Sequence, residues 1–174
     1  FANNCIQFNK HQIKKEMIPF LQNNNDKLKP IVWKTNNIDE SVSLVCRTIK
    51  LLIQTHNLKL NDFAIITRNN RLLYLIETYM IMNYKYINYI LLDNNLDKSG
   101  NNKIEQLTLT TIHKSKGLEW ECVYLLGCDD YCFPYICNNE NELEEERRLF
   151  YVAITRARKM LIMNYTSDEI TRFI

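Results

Sequence analysis

Apolar positions recur along this chain with two periods, one suited to helices and one to buried strands. Over residues 2–21, Ile6, Ile13, Met17 and Phe20 fall on one side of a predicted helix. Residues 23–29 are polar and read as a loop, and the short run Pro30-Ile31-Val32-Trp33-Lys34 reads as a strand bounded by turn chemistry. The next helix carries Asp39 and Glu40 in its first turn and an apolar stripe of Val42, Val45, Ile49, Leu52 and Ile53. Phe63-Ala64-Ile65-Ile66-Thr67 is almost continuously apolar, as a buried parallel strand should be. Leu72, Leu75, Ile76 and Tyr79 mark a further helix, and residues 86–91 an extended run. Residues 107–112 and 122–126 are again strand-like. A charged helix over residues 141–157 opens on acidic side chains, which suit a helix N-terminus. Met160-Leu161-Ile162-Met163 closes the sheet.

Strands alternating with helices predict an α/β fold, a parallel sheet flanked by helices and joined by right-handed crossovers. At 174 residues the chain suits a single domain spanning 1–174. Its best linker candidate is residues 93–102, polar, Asn-rich and holding one of three glycines. Hydrophobic residues at 46% and charged residues at 24% are ordinary for a soluble globular protein, and the expected setting is intracellular. A net charge of +2 is too small to argue for nucleic acid by itself. No run approaches the roughly eighteen apolar residues of a membrane span, so no membrane partner is expected. Phe1-Ala2-Asn3-Asn4 starts no signal peptide, and without an initiator Met the chain reads as a piece of a longer one. The six cysteines form no CxxC pair, which argues for reduced thiols and no metal site. Asparagine clusters stand where turns are expected.

Two segments are more particular. In the first, Leu109-Thr110-Thr111-Ile112-His113-Lys114-Ser115-Lys116-Gly117-Leu118-Glu119-Trp120, a strand ends in a polar turn that leads to a carboxylate, an aromatic and another strand. Turns at the carboxyl ends of strands are where open α/β sheets bind ligands. Exposed His113 and Lys side chains there suit phosphate contact, and Gly117 permits close backbone approach, although a well-capped surface turn has similar residues. The second segment runs Glu144-Glu145-Glu146-Arg147-Arg148-Leu149-Phe150-Tyr151-Val152-Ala153-Ile154-Thr155-Arg156-Ala157-Arg158. Glu144 and Arg148 are an i,i+4 pair, and Leu143, Phe150 and Ile154 are the expected buried face. Glu/Arg pairs on a solvated face account for much of this helix. They do not account for Arg156, expected late in the helix, where a planar, permanently charged guanidinium suits contact with a phosphate.

Together and in this order, the two segments resemble motifs V and VI of the UvrD/Rep/PcrA superfamily 1 helicases. The family forms are approximately T-[LIV]-H-x-[SA]-K-G-L-E-[FW] and E-E-E-R-R-L-x-Y-V-[AG]-[IL]-T-R-A, and every fixed position is present. The resemblance extends through Ala2-Asn3-Asn4-Cys5-Ile6 with Asn9, through Asp39-Glu40, and through Asp62-Phe63-Ala64-Ile65-Ile66-Thr67-Arg68-Asn69-Asn70. It implies a second RecA-like motor domain of an ATP-dependent 3′→5′ DNA helicase, closing on ATP and Mg2+ held mainly by an N-terminal motor domain of the same protein. By that resemblance Arg156 is an arginine finger, Glu119 bonds the ribose with Gly117 beside it, and His113, Arg68 and Asn70 contact single-stranded DNA. Tyr135, in Phe133-Pro134-Tyr135, stands where relatives often carry a DNA-touching histidine, and an aromatic there could stack on a base.

The chain departs from the pattern in places. It has no G-x-x-x-x-G-K-[ST] phosphate loop and no D-E-x-Q-D box, so it is not expected to cradle ATP unaided. Relatives insert a helical accessory domain where residues 93–102 stand here. Two alternatives share the motifs: the matching domain of a RecB/AddA-like helicase–nuclease, and a catalytically idle UvrD-like module that binds DNA or protein. DNA repair is the family's commonest assignment.

Overall fold

The structure, a computed structural model, describes residues 1–10, 29–92 and 104–174. Within them run α1 (Ala2–Ile6), β1 (Ile31–Lys34), α2 (Ile38–His56), β2 (Phe63–Thr67), α3 (Asn70–Asn83), β3 (Tyr89–Leu91), β4 (Leu107–Thr111), β5 (Trp120–Leu126), α4 (Glu140–Ile154) and β6 (Ala157–Tyr165). The six strands form one sheet in the order β1-β6-β5-β2-β4-β3, and every pairing is parallel. The fold is therefore the α/β class that the alternating pattern predicts. The linker expected at residues 93–102 lies outside the described residues, as do residues 11–21 of the helix expected over 2–21; in the described part that helix ends at Ile6.

The central strand shows why its sequence is almost continuously apolar. Successive side chains of a strand point to opposite faces, so Phe63 and Ile65 join the core under α2 and α3, while Ala64 and Ile66 join the one under α4. All five residues of β2 are buried. Three long helices start on asparagine: the side chains of Asn37, Asn69 and Asn139 accept from the backbone N–H of Glu40, Leu72 and Glu142. Each satisfies a donor the helix cannot, typically worth about 1 kcal/mol. Asn57 ends α2 in the left-handed region at φ 54°, a conformation asparagine tolerates. The asparagine-rich composition thus serves as helix punctuation.

The stripe on α2 is as expected, with Val42, Val45, Ile49 and Leu52 buried. That on α3 is shifted. Leu73, Ile76 and Met80 are buried, whereas Leu75 is exposed. The run Leu72-Leu73-Tyr74-Leu75-Ile76 is too uniformly apolar to show its phase, which the Asn69 cap and the sheet beneath decide. Among the described residues no helix is long and apolar enough to cross a membrane.

One core group stands out. Tyr124 is fully buried, with its ring centroid 6.2 Å from that of Trp33 and 6.5 Å from that of Phe63. Its hydroxyl has no hydrogen-bond partner among the described residues. An unpaired buried donor costs about 1–3 kcal/mol, so Tyr124→Phe is expected to unfold at the same temperature or a higher one. A clear drop in Tm would mean that the hydroxyl is satisfied in solution.

Candidate functional sites at the two edges of the sheet

The expected site residues fall into two groups at opposite ends of the strands. Gly117, Glu119 and Arg156 belong to the edge where β5 and β6 begin. Arg68, Asn70, His113 and Tyr135 belong to the connections that leave the carboxyl ends of β2, β4 and β5. The connection from β4 to β5 runs between the two edges, with His113 near its start and Glu119 at its end. The turn expected at the carboxyl ends therefore places His113 there, whereas Gly117 and Glu119 lie at the other edge.

At the first edge, α4 ends at Ile154, not at residue 157 as its charge pattern predicts. The reason is sheet pairing. The carbonyl of Arg156 accepts from Trp120 N–H at 3.0 Å, and β6 begins one residue later. Arg156 thus occupies the turn between helix and strand. Its guanidinium donates from Nε to the Val152 carbonyl at 2.9 Å, from Nη1 to the Leu118 carbonyl at 2.9 Å, and from Nη2 to Thr155 Oγ1 at 3.0 Å. The cation thereby caps the negative end of α4 and ties it to the segment holding Gly117 and Glu119. Three N–H groups are used, and a guanidinium has more to give.

Glu119 is exposed, and its Oε2 accepts from Arg158 Nε at 3.1 Å. Arg158 also approaches Glu121 at 3.7 Å, and Lys159 Nζ lies 2.8 Å from the same carboxylate. The ladder is irregular here, since Trp120 pairs with Ala157 but Cys122 with Met160. An extra residue in one strand re-aims its neighbours, and here two successive basic side chains reach Glu121. Gly117 has φ +84°, and a β-carbon there would meet no atom within 4 Å. Its glycine is required by backbone conformation, not by close approach within this chain.

The second edge is organised by Glu146, a motif residue for which the sequence suggests no particular role. Glu146 is buried, with its side chain 9% exposed, against 17% for Arg68. Its carboxylate takes Arg68 Nε at 2.9 and 3.2 Å, Arg68 Nη2, and the backbone N–H of Tyr135 at 3.0 Å. Burial pushes this carboxyl up, but the hydrogen bonds from Arg68 and Tyr135, with the charges of Arg68 and His113, hold it below the usual glutamate range. Arg68 Cζ lies 5.9 Å from the centroid of the half-exposed Tyr135 ring. His113 is exposed, as are Asn70 and Arg71 in the first turn of α3.

Glu144 is buried as well, pairing with Arg148 at 3.2 Å and accepting the backbone N–H of Lys10. Its backbone carbonyl accepts from the Asn9 side chain at 3.0 Å, and Arg147 donates to Asn9 Oδ1 at 2.7 Å. The i,i+4 pair is present, then, but only Glu145 of the three acids lies on a solvated face. Helical spacing could have flagged Glu146, one turn before Phe150. A carboxylate on the buried face of a helix requires a partner cation.

All six cysteines are free thiols, and burial pushes that of Cys46 up to about 12. Among the described residues no group of three or more His, Cys, Asp or Glu side chains converges as a metal site.

The chain resembles known proteins. Over 98 residues the chain is 39% identical to the ATP-dependent DNA helicase Rep of Buchnera aphidicola subsp. Baizongia pistaciae, a match covering 50% of this chain and 15% of Rep. Over 72 residues it is 42% identical to the ATP-dependent DNA helicase PcrA of Staphylococcus epidermidis, covering 39% of this chain and 10% of PcrA. A protein called a probable DNA helicase from Mycoplasma pneumoniae matches at 25% over 171 residues, which is 97% of this chain and 29% of the relative. The matches thus span 15%, 10% and 29% of the length of these relatives. A solved structure, the C-terminal domain of a possible DNA helicase from Lactobacillus plantarum WCFS1, superposes with a TM-score of 0.64 at 17% identity. That match covers 89% of this chain and 83% of the other, and it supports the fold. Residues 82–168, half of the 174, match the model of the UvrD-like helicase C-terminal domain, and this chain is a member of that family.

Proposed function

We propose that this chain supplies the second motor half of an ATP-dependent DNA translocase or helicase of 3′→5′ polarity. In this reading Arg156 is the arginine finger, and Glu119 with Gly117 forms the ribose side of a nucleotide site completed by an N-terminal, phosphate-loop motor domain that holds ATP and Mg2+. Asn70, His113, Tyr135 and Arg68 face single-stranded DNA. The observation that carries it is the separation of the two groups to opposite edges, with α4 touching both. Glu146 on that helix bonds Arg68, and Val152, two residues before its last, holds Arg156. A rigid rod between the edges is what a motor needs to link nucleotide state to grip on the strand.

A guanidinium preset at the turn can meet charge that develops on a transferring phosphoryl group. Exposed cations and one aromatic at the other edge suit a sugar–phosphate strand without reading its sequence. The isolated chain is expected to hydrolyse no ATP, having no phosphate loop, and to bind single-stranded oligonucleotides weakly and with no sequence preference. Titrating a labelled oligonucleotide at two salt concentrations tests this. Few phosphates are neutralised, so log K should fall with log salt at roughly 0.7 per phosphate contacted. Affinity independent of salt, a strong sequence preference, or ATP turnover by the chain alone would each overturn the reading.

A further inference from the structure

The resemblance assigns Arg68 directly to DNA, but the charge balance at this edge argues otherwise. Both Nε and Nη2 of Arg68 are spent on the Glu146 carboxylate, and both side chains are largely out of water. A guanidinium neutralised by a buried carboxylate has no net charge to offer a phosphate. Its Cζ lies over the Tyr135 ring, 5.9 Å from the ring centroid. The same carboxylate accepts the backbone N–H of Tyr135 at 3.0 Å, so one group fixes both the residue's main chain and the cation beneath its ring. The Tyr135 side chain, in contrast, is 51% exposed.

We propose that Glu146 is a positioning residue for the strand-contact edge, and that Arg68 braces the Tyr135 ring as a base-stacking platform and does not clamp a phosphate. The proposal rests on the DNA-binding reading above and changes how the edge would work. Affinity comes from an aromatic presented at a fixed angle, and the salt dependence comes from other cations, such as exposed Arg71, which has no ion pair among the described residues. A preset ring loses little freedom on stacking, and stacking tolerates any base.

The test is oligonucleotide binding by the chain over a range of salt, for the parent and four variants whose folding is checked by thermal unfolding. Tyr135→Ala should weaken binding about 5–150-fold, the value of one stacked base, and leave the salt slope unchanged. Arg68→Gln/Glu146→Gln, which removes both charges together, should also weaken binding without changing the slope, because no phosphate contact is lost. Adding Tyr135→Ala to that pair should bind no more weakly than Tyr135→Ala alone, since both act through one ring. In Glu146→Gln alone the Arg68 charge is uncompensated, and the slope should steepen by roughly 0.7. If this variant does not fold, the cycle between the neutral pair and Tyr135 decides by itself. A slope flattened by roughly 0.7 in Arg68→Gln/Glu146→Gln, or full additivity in the cycle, overturns the proposal while leaving the DNA-binding reading intact. Parent protein that binds no single strand overturns both.

Discussion

Replacing Arg156 by alanine is expected to abolish DNA-stimulated ATP hydrolysis while nucleotide and DNA binding persist. The measurement uses the full-length protein, or this chain together with the phosphate-loop domain. Arginine fingers at comparable phosphoryl-transfer sites contribute about 10³–10⁵ in rate, or about 4–7 kcal/mol of barrier. The effect falls on turnover because charge develops on the γ-phosphoryl group in the transition state. Lysine should rescue poorly. It lacks the fork that here bonds the Val152 and Leu118 carbonyls and the Thr155 hydroxyl together. Those three bonds also hold the end of α4, so melting temperature and binding are measured beside turnover to separate lost chemistry from a loosened helix. Arg158 is a poor idle control, because it pairs with Glu119. Its alanine variant should shift the KM for ATP more than kcat. A rate for Arg156→Ala above about a tenth of the parent's, against the range for such fingers, or greater damage to turnover in Arg158→Ala, would show that the finger is misplaced.

Phe150→Ala should cost about 3–5 kcal/mol of stability, the range for deleting a large buried aromatic. Phe150 is fully buried on α4, with ring centroids 5.2 Å from Phe133 and 5.6 Å from Phe173. Three aromatics from α4, the β5–α4 connection and the C-terminal segment thus meet at one place. For a chain of this size the loss corresponds to a fall in Tm of roughly 6–20 °C. The effect should reach the proposed strand-contact edge, because Phe133 lies two residues before Tyr135. Thermal unfolding by circular dichroism checks the first expectation, and oligonucleotide affinity well below the new Tm checks the second. A fall of less than about 1 kcal/mol, far below that range, would mean the cluster is not packed as described.

Element type, the parallel sheet and the family were legible in the sequence because they depend on local order. A five-residue apolar run such as Phe63–Thr67 has few ways to be buried, and asparagine before a helical stripe can cap whatever packs above it. The two motifs carried several candidate site residues for the same reason, each being one continuous stretch of chain. Distances between stretches were not legible. The α4 boundary was misjudged because Arg156 ends the helix only when its carbonyl meets Trp120 of another strand. The α3 stripe was misjudged because a uniformly apolar run has no phase until a sheet lies beneath it.

Most of all, Glu146 and Arg68 are separated by 78 positions in sequence, and nothing local to either marks it as the other's partner. Sequence by itself determined which groups this protein has and the kind of element on which most of them sit. Tertiary structure decided which charges are compensated, which edge each residue occupies, and which groups remain exposed to act. Those outcomes depend on burial and on Coulomb interactions between distant segments, and neither exists until the sheet has brought the segments together.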